Sequence, residues 1–107
     1  MKFLSTIVLL NSVAMANAES FYAYTCYGCG CDAYQSFGTN IKNSCTNVGS
    51  GAAAWGISTG KDSKTYCTLF SEENCGGKSQ NVGHKTGQTW GCTNSQIGWV
   101  KSVICFD

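Results

Sequence analysis

The chain has no arginine, no proline and a single histidine, His84, and only 12% of its 107 residues carry charge. Each shortage closes off a class of function. A nucleic-acid binder or a cationic membrane-active peptide needs a basic stripe, and the lysines here are scattered singly. One histidine is too few for a His-rich metal site, and in "VGHKTG" it reads as solvated surface rather than as a general base. No apolar run reaches the roughly 18–20 residues that span a bilayer. With proline absent, the turns rest on 13 glycines and many Ser, Thr and Asn residues. We therefore expect no nucleic-acid partner, no membrane insertion, and no metal or other cofactor.

What is present begins with Lys2, an apolar run from Phe3 to Leu10, and Ala16-Asn17-Ala18, the small-x-small pattern that signal peptidase cuts. Residues 1–18 are expected to be a secretory signal and the protein extracellular. Residues 19–107 then form one domain of 89 residues, with six lysines against six acids. A domain of that size buries only about 60–65% of its unfolded surface, so its core is marginal. We expect a monomer held together covalently.

Eight cysteines supply the means: Cys26, Cys29, Cys31, Cys45, Cys67, Cys75, Cys92 and Cys105. Three of them crowd into "YTCYGCGCDAY" with the spacing C-x-x-C-x-C. Zinc would want four soft ligands in a reducing compartment, or histidines nearby. A redox C-x-x-C would want a larger α/β scaffold with a helix N-terminus lowering the thiol pKa. An even cysteine count in a short secreted chain is instead a disulfide framework, each bridge adding ~2–4 kcal/mol. The sequence leaves the pairing open.

The class is mainly β. "SFYAYTCY" (20–27), "AAAWGIS" (52–58), "KTYCTLF" (64–70) and "GWVKSVICF" (98–106) read as strands by their aromatic, β-branched and Cys content. Asn74, Gly76 and Gly77 predict a tight turn between "YCTLF" and "KSQNV". Asp32 to Cys45 is the one candidate helix, with Tyr34, Phe37 and Ile41 on one face. Two quasi-repeats, about 20–60 and 64–106, emerge when cysteines are aligned. Cys26 falls 41 residues before Cys67, Cys45-Thr46-Asn47 falls 47 before Cys92-Thr93-Asn94, and Trp55 falls 44 before Trp99.

In "LFSEENCGGKS", Phe70, Cys75 and Gly77 follow the spacing aromatic-x4-aromatic-x-Gly, with Cys75 in the second aromatic place. This resembles the opening of a βγ-crystallin Greek key, and Ser102 in "VKSVIC" resembles the serine before that motif's last strand. The resemblance implies a small disulfide-stabilised Greek-key sandwich in which Gly77 takes a positive φ. In the first half Tyr22 and Tyr27 keep the spacing, but Cys29 stands where the glycine should be. Taken whole, the signal, the size and the eight cysteines resemble the small secreted cysteine-rich proteins of filamentous fungi. The stretch from Cys75 to Cys105 also carries "C-x-G-x-S-Q-x-V-G". That group supplies effector candidates, which implies a role at a host surface.

Catalysis finds little support. Gly56-Ile57-Ser58-Thr59-Gly60 matches G-x-S-x-G, but a nucleophile elbow needs an α/β sheet that 89 residues cannot build. Tyr24-Thr25-Cys26 resembles the Y-x-C start of powdery-mildew effectors with a guanyl-specific ribonuclease fold, yet their paired histidines and arginine are missing. Glu72 and Glu73 are adjacent and would point apart on a strand. Neither "CTNVGS" nor "CTNSQIG" supplies the calcium loop of a βγ-crystallin key.

Binding is the expected function. At least half of the large rings should fill the core between the sheets, and the remainder should make a surface suited to a host protein or a cell-wall polysaccharide. The candidates are Trp90, Trp99, Trp55 and Tyr27, with "KTGQTWGCTN" (85–94) as the loop that presents Trp90. No N-x-[ST] sequon is present to cover that surface with glycan. Two other outcomes follow from the resemblances: a crystallin-fold toxin or antifungal protein, and a catalytically dead ribonuclease-like effector.

Overall fold

The computed structural model describes residues 19–61, 63–83 and 87–106. The expected secretory segment 1–18 and the residues His84 and Lys85 lie outside them. Two antiparallel four-stranded sheets face each other. One has the order β2-β1-β4-β7, built from Gln35–Phe37 (β2), Ser20–Tyr24 (β1), Ala54–Ser58 (β4) and Trp90–Asn94 (β7). The other has the order β3-β8-β5-β6, built from Thr46–Ala52 (β3), Val100–Phe106 (β8), Tyr66–Glu72 (β5) and Gly76–Gly83 (β6). This is the expected mainly β sandwich. Each half of the chain places three strands in one sheet and sends its third strand to the other: β3 pairs with β8, and β7 with β4. The halves are interlocked.

Strand alternation fills the space between the sheets. Phe21 and Ala23 of β1 and Trp55 and Ile57 of β4 meet Val48, Leu69 and Val103 from the opposite sheet. Phe21 and Phe37 stack on Trp55 with ring centroids 6.4 and 5.9 Å away.

Residues 32–45 are not helical. Phe37 pairs opposite Phe21 in β2, and Ile41 reaches the core from a 3-10 turn, Thr39–Ile41. Gly38 is extended and Asn43 has φ +61°, so tertiary pairing decides against the helical spacing of three apolar residues. Three-residue 3-10 turns are the longest helical pieces among the described residues, whereas a ribonuclease-like fold requires a substantial helix. Besides β2, two more strands escape the sequence patterns. In β3 a register shift breaks the alternation between Asn47 and Ala52, where Gly49 and Gly51 take positive φ. The other, β7, is a short edge strand in the segment expected to be a loop.

The turn expected at Gly76-Gly77 is a folded hairpin between β5 and β6. Gly77 has φ +77°, and a Cβ there would strike the side chains of Ser71 and Glu72. The hydroxyl of Ser102 (completely buried) donates to the Glu72 carbonyl at 2.6 Å and accepts from the Cys75 N–H at 2.8 Å. That gives the serine of the Greek-key pattern its physical role.

All eight cysteines are bridged. Cys29–Cys92 and Cys45–Cys75 are equivalent: each ties the 3-10 turn of one half, Tyr27–Cys29 or Glu73–Cys75, to the exchanged strand of the other half, Cys92 within β7 and Cys45 immediately before β3. The repeated Cys-Thr-Asn is explained at the same place. Asn94 Oδ1 accepts from the Gly28 N–H at 2.6 Å, and Asn47 Oδ1 from the Asn74 N–H at 2.8 Å. Both turns contain consecutive positive φ values, at Gly28 and Cys29 and at Asn74 and Cys75. Cys29 therefore corresponds to Cys75, and the alignment of Cys26 with Cys67 does not hold. Trp55 faces Ala23 just as Val103 faces Leu69, so its counterpart is Val103 and not Trp99. The other two bridges are particular to their halves. Cys67–Cys105 joins facing residues of β5 and β8 inside the core, and Cys26–Cys31 closes a short surface loop.

Candidate functional site

An open cleft of about 360 Å³ lies between Tyr27 and Trp99, with Thr25, Cys26, Ala53 and Gly98 completing its lining. Three connections build it. Thr25 to Tyr27 follow the end of β1, Ala53 links β3 to β4, and Gly98-Trp99 is the turn that leads into β8. The rims are two large rings left in water, Tyr27 67% exposed and Trp99 54% exposed. No charged side chain lines the cleft.

Both rims are anchored. The Tyr27 loop is crossed by Cys26–Cys31, tied to β7 by Cys29–Cys92, and held by the Gly28–Asn94 hydrogen bond. On the opposite side, the Ser95 hydroxyl donates to the Gly98 carbonyl at 2.5 Å and accepts from the Ile97 N–H at 3.2 Å. Trp99 then lies beside Gly51 (φ +115°), where an added Cβ would come as close as 3.3 Å to the Trp99 Cβ. At the cleft floor the Ala53 N–H donates to the Tyr24 carbonyl at 2.7 Å, and the Ser95 N–H donates to the Ala53 carbonyl at 2.8 Å. The first-half turn lacks a counterpart of Ser102. Tyr24 pairs with Ala54 where Phe70 pairs with Ser102, so cystine and Asn94 hold this turn without a buried hydroxyl.

The four sequence candidates part company here. Tyr27 and Trp99 share the cleft. Trp55 is only 1% exposed and belongs to the core, because β4 is a central strand and Trp55 points inward. Trp90 is exposed but sits on the outer face of the first sheet. Its ring lies over Gly56, where a Cβ would collide with it, and packs against Tyr22 and Tyr24 at 5.8 and 6.4 Å. Burial under this cluster raises the Tyr24 pKa, and the neighbouring Tyr22 adds to the rise. The expectation that at least half of the large rings fill the interior fails: of the three Trp and five Tyr rings, only Trp55 belongs to the core cluster between the sheets. The interior is filled by Trp55, Phe21 and Phe37 with aliphatic side chains and the Cys67–Cys105 cystine, and the other Trp and Tyr rings lie outside it.

Thr25, Cys26, Ala53 and Gly98 were not legible as site residues, since small residues in turns carry no distinguishing pattern. Gly98 before Trp99 was the one usable sign, a turn glycine delivering a ring. Beside the cleft, the ammonium of Lys101 donates to the Ser50 carbonyl at 2.9 Å. The Ser50 hydroxyl and N–H donate to the Tyr34 phenol oxygen and lower its pKa, with Lys101 helping. Ser58 of the G-x-S-x-G match ends β4, and the next element after it is the strand β5, not the helix a nucleophile elbow leads into. Comparison of the chain with protein-family models, curated proteins and solved structures returned no match.

Proposed function

We propose that this chain is a secreted, non-enzymatic recognition module, an effector-like protein of the fungal cysteine-rich kind, that binds a host protein or glycan through the Tyr27–Trp99 cleft. The observation that carries the reading is the pair of exposed rings lining one cleft, Tyr27 on a loop anchored by two cystines and Trp99 on a turn held by Ser95. Large apolar rings in water favour association, and rigid walls reduce the entropy lost on binding. Four disulfides in a small domain are compatible with an extracellular setting, where such bridges persist. The interlocked Greek keys keep a crystallin-fold toxin or antifungal protein as the second reading, although a near-neutral chain is poorly suited to membrane disruption.

The test is retention of purified protein on leaf tissue, chitin, cellulose and fungal cells, with Trp99→Ala alongside. Retention on a host material that falls about tenfold in the variant is expected. Equal retention of both proteins removes the cleft from the function. Growth arrest of fungal cells at low dose, without binding to any host material, gives the function to the toxin.

A further inference from the structure

Building on the reading that this cleft is the recognition site, we propose that its ligand is a neutral hexopyranose oligosaccharide. The cleft's own chemistry narrows the choice. Its six lining residues carry no charge, and Lys101, two residues beyond Trp99, already donates to Ser50. A phosphate, a uronate chain or an acidic peptide would enter without a counter-charge and would have to be desolvated unpaired. A neutral ligand meets no such penalty.

Among neutral ligands, a pyranose combines a face of C–H bonds with a rim of hydroxyls that both donate and accept. Tyr27 and Trp99 offer two aromatic faces for the C–H surface. The Thr25 and Tyr27 hydroxyls can each donate and accept, and the Trp99 indole N–H donates. A proline-rich peptide, whose prolyl carbonyls only accept, would leave the acceptor capacity of both hydroxyls unused. At about 360 Å³ the cleft is near the lower end of small-molecule sites, roughly 300–1,000 Å³, and suits a short stretch of chain. The rims are fixed before binding by two cystines and the Gly28–Asn94 bond on one side and by Ser95 on the other, so few rotors are frozen.

Titration calorimetry of the whole secreted protein against neutral oligomers of glucose, N-acetylglucosamine, mannose and galactose provides the test. Oligogalacturonate and a proline-rich peptide serve as the anionic and peptide arms. At least one neutral oligomer is expected to saturate at one site, with affinity falling about tenfold or more in Trp99→Ala and less in Trp99→Phe. Tyr66→Ala, which alters an exposed ring packed on Phe106 away from the cleft, should bind as the parent does. Circular dichroism and thermal melts establish that each variant is folded, and Thr25→Val gives a second route should Trp99→Ala not fold. Sugar binding unaffected by Trp99→Ala overturns the proposal, as does tighter binding of oligogalacturonate or the peptide. If no oligomer binds while host tissue still retains the parent and not Trp99→Ala, the sugar assignment falls and the recognition reading stands.

Discussion

Ser102 shows how much a single buried hydroxyl can carry. It satisfies a donor and an acceptor of the folded hairpin at once, and both would be stranded without it. Ser102→Ala should therefore lower unfolding free energy by about 1–3 kcal/mol, read as a shift in urea midpoint at unchanged slope. Glu19 works by charge. Partial burial opposes its ionisation, but hydrogen bonds from Lys42, Thr65 and Ser63, with the Lys42 charge, outweigh this and lower its pKa. A carboxyl with a depressed folded-state pKa stabilises the fold above its ordinary pKa and loses that contribution as pH falls through the lowered value. Glu19→Gln should thus be less stable than the parent at neutral pH, and the two should converge in denaturation curves as pH falls below the lowered value. At this scale the sequence was informative where a residue has one possible use: Gly77 for positive φ, Ser102 for the hairpin, cysteine for cystine. It was uninformative for aromatic rings, which serve as core or outer face according to which way a strand faces and as rim where a turn carries them.

At the scale of elements, the 3-10 turns and exchanged strands make the difference between the halves. The second turn is held by Ser102, Asn47 and Cys45, and the first by Asn94, Cys92 and its own Cys26–Cys31 bridge. A bridge spanning 63 residues restricts the unfolded chain far more than one spanning 5, about 4 against about 2 kcal/mol by loop entropy. Replacing Cys26 and Cys31 with serine should leave far-ultraviolet dichroism unchanged and lower the melting temperature modestly, while cleft binding weakens because the Tyr27 rim loses one tether. Replacing Cys29 and Cys92 should lower the melting temperature more, and a comparison of the two thermal scans checks the order. The strands with regular alternation, β1, β4, β5 and β8, were readable in the sequence. Those whose pattern is broken by a bulge or by an edge position, β3 and β7, were not, and the helix expected at 32–45 was imitated by residues that serve three separate contacts.

Over the whole molecule, no sheet belongs to one half of the chain. The first sheet needs β7 from the second half and the second sheet needs β3 from the first, and two cystines lock the trade. A fragment ending near residue 60 should therefore remain unfolded by circular dichroism, and the full domain should melt in one transition with calorimetric and van't Hoff enthalpies equal. The mainly β class and the cystine count could be inferred from composition and spacing, but the pairing could not, because it depends on which strand crosses over. That crossing also dictates a sequence of events during biogenesis. The strand that completes the first layer is made after residue 89, so neither layer can close until nearly the whole polypeptide has been made. Six cysteines, from Cys26 to Cys75, precede that strand and are open to wrong pairing before it arrives, so a disulfide isomerase should speed oxidative folding of the chain.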